Sequence, residues 1–380
     1  MSKEISTIEQ LESWLRRTPV ILNLSDSLTL AFLSEKPKVF DRCIDMVSWL
    51  ECPEPIEEKM VICLSRDVRY AHRFPYLNCV HNPYTSELDK VLLEKFHQVQ
   101  QQMTSQKEIG NIILKDCRRN EIETVVLILI DGLSYTDIKD WTDFSNKRAC
   151  LVPGITTTSE GFTNVIGNPP LAGRLFGLGF RNRLGYTYWT RERNELTDRL
   201  FWTIHANSIV EGNTMSETLK DLQNLDLKHT YIQIVRVGLD QYAHSERGDD
   251  LKDKRKTTLQ NIRRELLELA EILKSKGQPA LIYLTSDHGL LWRDRTQFKI
   301  IGSTTGRPNP RYCKLDEIDS LDRDKGKIVE IDNQQYFQLG SNYLRRKLHS
   351  NEFGVHGGLS YAESVIPLIK IEVNKNVDDR

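Results

Sequence analysis

The sequence has no Cys-x-x-Cys pair, and its seven cysteines (43, 52, 63, 79, 117, 150 and 313) are scattered and odd in number. This pattern excludes a cysteine-based zinc site and a disulfide framework, and predicts reduced thiols in a cytoplasmic protein. No apolar run reaches the roughly 18 residues that cross a bilayer, and the first residues carry no apolar core of signal-peptide length. An excess of one charge is absent too: 52 Lys and Arg stand against 53 Asp and Glu. The chain as a whole is therefore drawn neither to nucleic acid nor to an anionic membrane, although local patches can be. Internal repeats and low-complexity stretches are also missing.

The 380 residues, 39% hydrophobic and 28% charged, exceed the usual single-domain size. One large domain with an accessory region is expected. We divide the chain into an N-terminal α/β accessory region, 1–108, and a main domain, 109–380, with 291–352 as a small cap insertion. In the first part, helical spacing of apolar residues predicts a helix over 26–50, strands at 60–64 and 76–80, and a polar helix over 85–106 with Gln98 to Gln106 as its exposed end.

Beyond residue 108 strands and helices alternate. The run 124–130 (Thr-Val-Val-Leu-Ile-Leu-Ile) reads as a strand buried on both faces, and 231–238 and 280–285 as two more. An amphipathic helix over 251–276 ends at Gly277 and Pro279. Alternation of this kind makes a mostly parallel α/β sheet, whose ligands bind at the carboxyl ends of its strands.

The chemistry-bearing residues fall just past those ends: Asp131-Gly132, then Asp240 with His244 four residues on, then Asp287-His288. His356 stands before two glycines, ahead of the last apolar run. Three aspartates and three histidines without cysteine suit two divalent cations of the zinc, manganese or iron type. A pair of such ions clamps both oxygens of an in-line displacement at phosphorus. Candidate nucleophiles lie in Pro153-Gly-Ile-Thr-Thr-Thr-Ser-Glu-Gly-Phe-Thr-Asn-Val-Ile166, where a helix is expected to begin near Thr157 or Thr158.

The ordered set resembles the alkaline phosphatase superfamily, and within it the PglZ domain. The likeness covers about 120–372 and is carried by Val-Leu-Ile-Leu-Ile-Asp131-Gly-Leu-Ser-Tyr135 at the start and His356-Gly-Gly-Leu-Ser-Tyr-Ala-Glu-Ser-Val-Ile-Pro-Leu-Ile369 at the end. It implies an alkaline phosphatase-like sheet flanked by helices, and two divalent ions, Zn or Mn. Asp240, His244 and His356 would hold one ion; Asp131, Asp287, His288 and the nucleophile would hold the other. The family's small residue three past the nucleophile, here Gly161, favours Thr158, with Thr157 second and Thr156 also open. The implied activity is a phosphodiesterase or phosphatase. A phosphomutase, and a partner-binding component of a phage-defence system docking through 1–108, are the alternatives. On the substrate side the resemblance suggests Asn164 and the basic aromatic stretch with Arg181, Arg183, Tyr188, Arg191 and Arg193, suited to a nucleotide or oligonucleotide.

Overall fold

The computed structural model describes residues 85–374, apart from 120, 139–140, 142, 145, 191–194, 245–250, 302–307, 319 and 332, and ahead of them the backbone of four strands. Those four, Val20–Leu22, Arg42–Asp45, Met60–Cys63 and Asn78–Val80, form a parallel sheet. The strands expected at 60–64 and 76–80 are among them. Of the helix expected over 26–50, only Arg42–Asp45 is described, and it is a strand. An apolar pair as short as Cys43-Ile44 has no spacing that tells a strand from a turn of helix.

The main body is an eight-stranded sheet. In chain order its strands are β1 (Thr104–Ser105), β2 (Thr124–Ile130), β3 (Asn146–Leu151), β4 (Asn182–Thr187), β5 (Ile209–Glu211), β6 (Thr230–Arg236), β7 (Ala280–Ser286) and β8 (Val365–Val373). Their spatial order is β1-β3-β8-β7-β2-β6-β4-β5. Only β8 runs against its neighbours. This is the mostly parallel, helix-flanked α/β sheet that the strand–helix alternation predicts.

Every residue of β2, β6 and β7 is buried, because helices cover both faces. The side chains of β2 divide between two cores. Val126, Ile128 and Ile130 pack with Ile262, Leu266 and Leu269 of the helix Leu251–Ser275. Val125, Leu127 and Leu129 pack with Ile109 and Ile113 of the helix Ile109–Arg119 and with Phe162 and Val165 of the helix Thr158–Ile166. Burying one such side chain contributes roughly 1.5–3 kcal/mol, so the central strands are anchored from both sides.

Register then fixes the site. Ile130 pairs with both Arg236 and Ser286. Asp131, Asp287 and the turn leading to Asp240 therefore leave the sheet side by side.

The polar helix ends earlier than expected, at Gln102, because Thr104–Ser105 joins the sheet beside β3. Gln106 is consequently not an exposed helix end but fully buried. Its Nε2 donates to the carbonyls of Ser286 (3.0 Å) and Asp287 (2.8 Å). Between β7 and β8 lie a strand pair, Leu291–Trp292 with Gly354–Val355, and an antiparallel sheet of Tyr312–Lys314, Gln334–Leu339 and Gly326–Ile331. Within that segment Arg311, fully buried, donates to both oxygens of Glu363 (3.0 and 2.6 Å) and thereby ties it to the segment after His356.

Candidate metal centre

Asp287 is fully buried directly after β7. Its Oδ1 accepts hydrogen bonds from the amides of Gly132 (2.9 Å) and His288 (2.7 Å), and the Ser286 oxygen lies 3.1 Å away. That leaves Oδ2 buried without a donor. Asp131 Oδ1 and Asp240 Oδ1 are likewise buried and unpartnered. Three orphaned carboxylate oxygens at one place are costly unless a cation or proton joins them. Gly132 makes the crowding feasible. Its φ of 76° suits glycine, and a Cβ there would lie 3.0 Å from the Asp240 amide.

The imidazoles complete the pattern. His288 Nδ1 lies 3.1 Å from the Gly289 carbonyl and His356 Nδ1 lies 2.9 Å from the Thr156 carbonyl. A carbonyl only accepts, so each Nδ1 carries a proton and each Nε2 is the atom turned toward the carboxylates. His288 Nε2 sits 3.3 Å from Asp287 Oδ2, and His356 Nε2 sits 3.5 Å from Asp240 Oδ1. The two rings stack, 4.1 Å apart and 12° from parallel. Burial, with His356 alongside, pushes His288 down to about 3, so its contact with Asp287 is not an ion pair. Acceptor therefore faces acceptor.

Burial, reinforced by Asp287 and Asp240, raises Asp131 well above the usual carboxylate range, and burial raises Asp287 also. The Asp131 shift marks carboxylates crowded together in a buried place. The donor set fits divalent cations. Asp131, Asp287 and His288 form one group whose ligand atoms lie within 4.8 Å of one another; Asp240, His288 and His356 form another. His244 stands at the rim, its Nε2 3.7 Å from Asp240 Oδ1 and its side chain 48% exposed.

The three threonines separate by environment. Thr156 is fully buried; its hydroxyl donates to the Gly358 carbonyl (3.0 Å) and accepts from the Gly357 amide (2.8 Å). Thr157 caps the helix Thr158–Ile166 without a side-chain hydrogen bond to it. Thr158 opens that helix, with Oγ1 3.2 Å from His288 Nε2, so its hydroxyl faces the metal-ligand cluster. Gly161 allows this. A Cβ on it would fall on the Asp287 carbonyl, so only glycine lets the helix sit so close.

The expected substrate side is dispersed. Arg183 pairs with Tyr231 near the amino-terminal end of β6, and Arg181 lies just outside it. Both stand at the opposite end of the sheet from Asp131, with their guanidinium groups over the Phe176 ring at 4.8 and 5.0 Å. A basic aromatic run does not tell which end of a strand it will occupy. Tyr188 follows the carboxyl end of β4, where Arg236 lies 6.0 Å over its ring. Asn164 donates to Gln106 Oε1 (3.2 Å), a packing contact behind the Asp287 turn. Arg191 and Arg193 lie outside the described residues.

Sequence reasoning missed Ser286. Its fully buried hydroxyl donates to the Ile130 carbonyl and accepts from the Leu133 amide, both at 2.8 Å, locking the Asp131 and Asp287 turns together. It also missed Glu363, which accepts from the Gly358 amide (2.9 Å). The one available signal was a serine directly before Asp287.

No family model and no curated protein matches this chain. Among solved structures it is similar to murine ectonucleotide pyrophosphatase/phosphodiesterase 5, at 12% identity over 64% of this chain and 87% of that one, TM-score 0.40. It is similar to phosphonoacetate hydrolase from Sinorhizobium meliloti 1021, at 11% identity over 68% and 91%, TM-score 0.42. A third is alkaline phosphatase from the Antarctic bacterium TAB5, at 10% identity over 65% and 90%, TM-score 0.33.

Proposed function

We propose that the chain is a PglZ-type, metal-dependent phosphoester hydrolase that acts through Thr158. The observation that carries this reading is the set of three buried carboxylate oxygens without a donor, beside the Nε2 atoms of His288 and His356, whose Nδ1 atoms face carbonyls. Asp131, Asp287 and His288 would hold one divalent ion, and Asp240, His356 and His244 the other. Bound there, such ions supply Lewis acidity toward phosphoryl oxygens and lower the pKa of a hydroxyl.

The chain's own groups do the rest. In the hydrogen bond with His288 the Thr158 hydroxyl is the donor, since Nε2 carries no proton. An imidazole held near 3 is a poor base at neutral pH; this favours cationic activation of the hydroxyl over proton transfer to His288. The Thr158 hydroxyl would release its proton to solvent and its oxygen would form the bond to phosphorus as the ester oxygen leaves; water would then attack phosphorus, break the threonine–phosphorus bond and return a proton to Thr158. As the first residue of a nine-residue helix, Thr158 meets first-turn amides that have no partner within the helix and stabilise anionic oxygens.

The test measures bound metal and hydrolysis of bis(p-nitrophenyl) phosphate with added Mn²⁺ or Zn²⁺. About two ions per chain are expected, with activity abolished in Thr158→Ala and largely kept in Thr157→Ala. A protein that takes up no metal would sink the reading and leave a partner-binding role. Full activity in Thr158→Ala would move the nucleophile only.

A further inference from the structure

Arg181 and Arg183 lie at the far end of the sheet, but other cations border the end that carries Asp131, Asp240 and Asp287. A groove of about 560 Å³ runs between Trp141 and the first three turns of the helix Leu251–Ser275, with Arg295 beside it. It is lined by Lys252, Arg255, Lys256, Arg263 and Arg295 against two carboxylates, Asp253 and Asp294. The helix connects the Asp240–His244 turn to the start of β7, so its first turns lie at the carboxyl ends of the strands. Two contacts confirm the adjacency. Thr258 Oγ1 donates to the Tyr242 hydroxyl (3.2 Å), between Asp240 and His244. The Arg255 guanidinium lies 4.9 Å over the ring of Trp292, which pairs with Gly354 just ahead of His356.

The cations divide by role. Arg255 is 3% exposed and held by Asp294, and Arg263 is held by Asp143, so both are committed to the fold. Lys252 and Lys256 are exposed, one turn apart, and have no ion-pair partner among the described residues. Lysines in a helix's first turns oppose its dipole, so local helix stability does not account for them. The two lysines stand about 6 Å apart along the helix at 1.5 Å per residue, on the rim of the same groove. At that spacing each lysine can take a phosphate of its own, so the pair suits a polyanion carrying successive phosphates.

We propose that this groove binds the flanking phosphates of a single-stranded oligonucleotide whose scissile phosphodiester lies at the metal-ligand cluster. The choice of a nucleic-acid chain rests on the hydrolase reading, because a chain of phosphodiesters is the polyanion that repeats the scissile bond.

The test is fluorescence anisotropy of a labelled oligothymidylate with the full chain in EDTA, across a salt series. Lys252→Gln/Lys256→Gln is expected to weaken binding about tenfold or more at low salt. It should also flatten the slope of log K against log salt by about 0.7 for each phosphate that a lysine no longer neutralises. Arg181→Gln/Arg183→Gln, at the far end of the sheet, is expected to bind like the wild type. Wild-type binding in the lysine variant, or an equal loss in the arginine variant, would overturn the proposal. So would inorganic polyphosphate displacing the oligonucleotide more effectively than unlabelled oligothymidylate at equal phosphate. Because chelated protein hydrolyses nothing in this assay, a failed metal centre would leave the lysine effect intact, and a failed groove would leave metal uptake intact.

Discussion

The backbone carbonyl of Thr156 accepts the Nδ1 proton of His356 at 2.9 Å, across 200 positions of sequence. The same residue grips Gly357 and Gly358 through its hydroxyl. Thr156 thus holds three consecutive residues of the His356 loop, while Thr158, two positions on, faces His288. One short segment sets both the candidate nucleophile and a candidate ligand of the second proposed ion.

Thr156→Val keeps the carbonyl and the shape but leaves the buried Gly357 amide without an acceptor. The expected loss is about 1–3 kcal/mol in urea unfolding, with weaker uptake of the second metal equivalent in titration calorimetry. Thr156→Ser keeps the hydroxyl and should restore metal uptake. Equal damage in the two variants would mean that bulk, not the hydroxyl, matters there.

Gly161→Ala tests the approach of the nucleophile's helix. Alanine favours helix by about 1 kcal/mol, yet its Cβ would fall on the Asp287 carbonyl. Overpacking costs roughly 1–3 kcal/mol and would push Thr158 off His288. Lower stability together with a fall in kcat of about a hundredfold is expected. An unimpaired variant would show that the helix can back away without consequence.

Much of this site was legible from strand ends. The apolar run 124–130 could only be a doubly buried strand, and a carboxylate after such a strand faces the ligand crevice. What the sequence concealed depends on long-range contact. Three consecutive threonines have the same chemistry until burial sorts them, and only the fold locks Thr156 onto residues 357 and 358. Gln106 appeared to end a polar helix and instead supports the Asp287 turn from 180 positions away. Arg181 and Arg183 have the right chemistry at the wrong end of their strand. Lys252 and Lys256 look like an ordinary solvated face until Trp141 is placed across from them.

Asp287→Asn separates the fold's need from the site's. Asparagine Oδ1 can still accept from the Gly132 and His288 amides, while its own amide would point at His288 Nε2, which lies 3.3 Å from the present Oδ2. A donor then faces an acceptor where two acceptors now meet. The metal-free variant should therefore melt at or above the wild-type temperature in EDTA, and its hydrolysis should be abolished. The wild type gains about 2.7 kcal/mol at metal a hundredfold above Kd; the variant should gain little. A variant stabilised by Mn²⁺ or Zn²⁺ as much as the wild type would remove Asp287 from the ligand set.

Asp89 makes a pH prediction away from the ligands. It is buried on the helix Thr85–Gln102, and its Oδ1 accepts from the Tyr361 amide at 2.6 Å. Burial first and the Glu363 carboxylate second raise it to about 7, with Arg311 opposing. The folded state therefore keeps a proton that the unfolded chain releases near pH 4. The resulting stability is fully present below pH 4 and is lost as pH rises toward 7 and through it, at up to about 1.4 kcal/mol per pH unit. Asp89→Asn can still accept the Tyr361 hydrogen bond and has no proton to lose. Urea unfolding in EDTA should show the variant close to the wild type at pH 4 and more stable than it at pH 8, with a flatter profile between. Parallel profiles for the two proteins would show that Asp89 is ionised in the folded state, balanced by Arg311 despite Glu363.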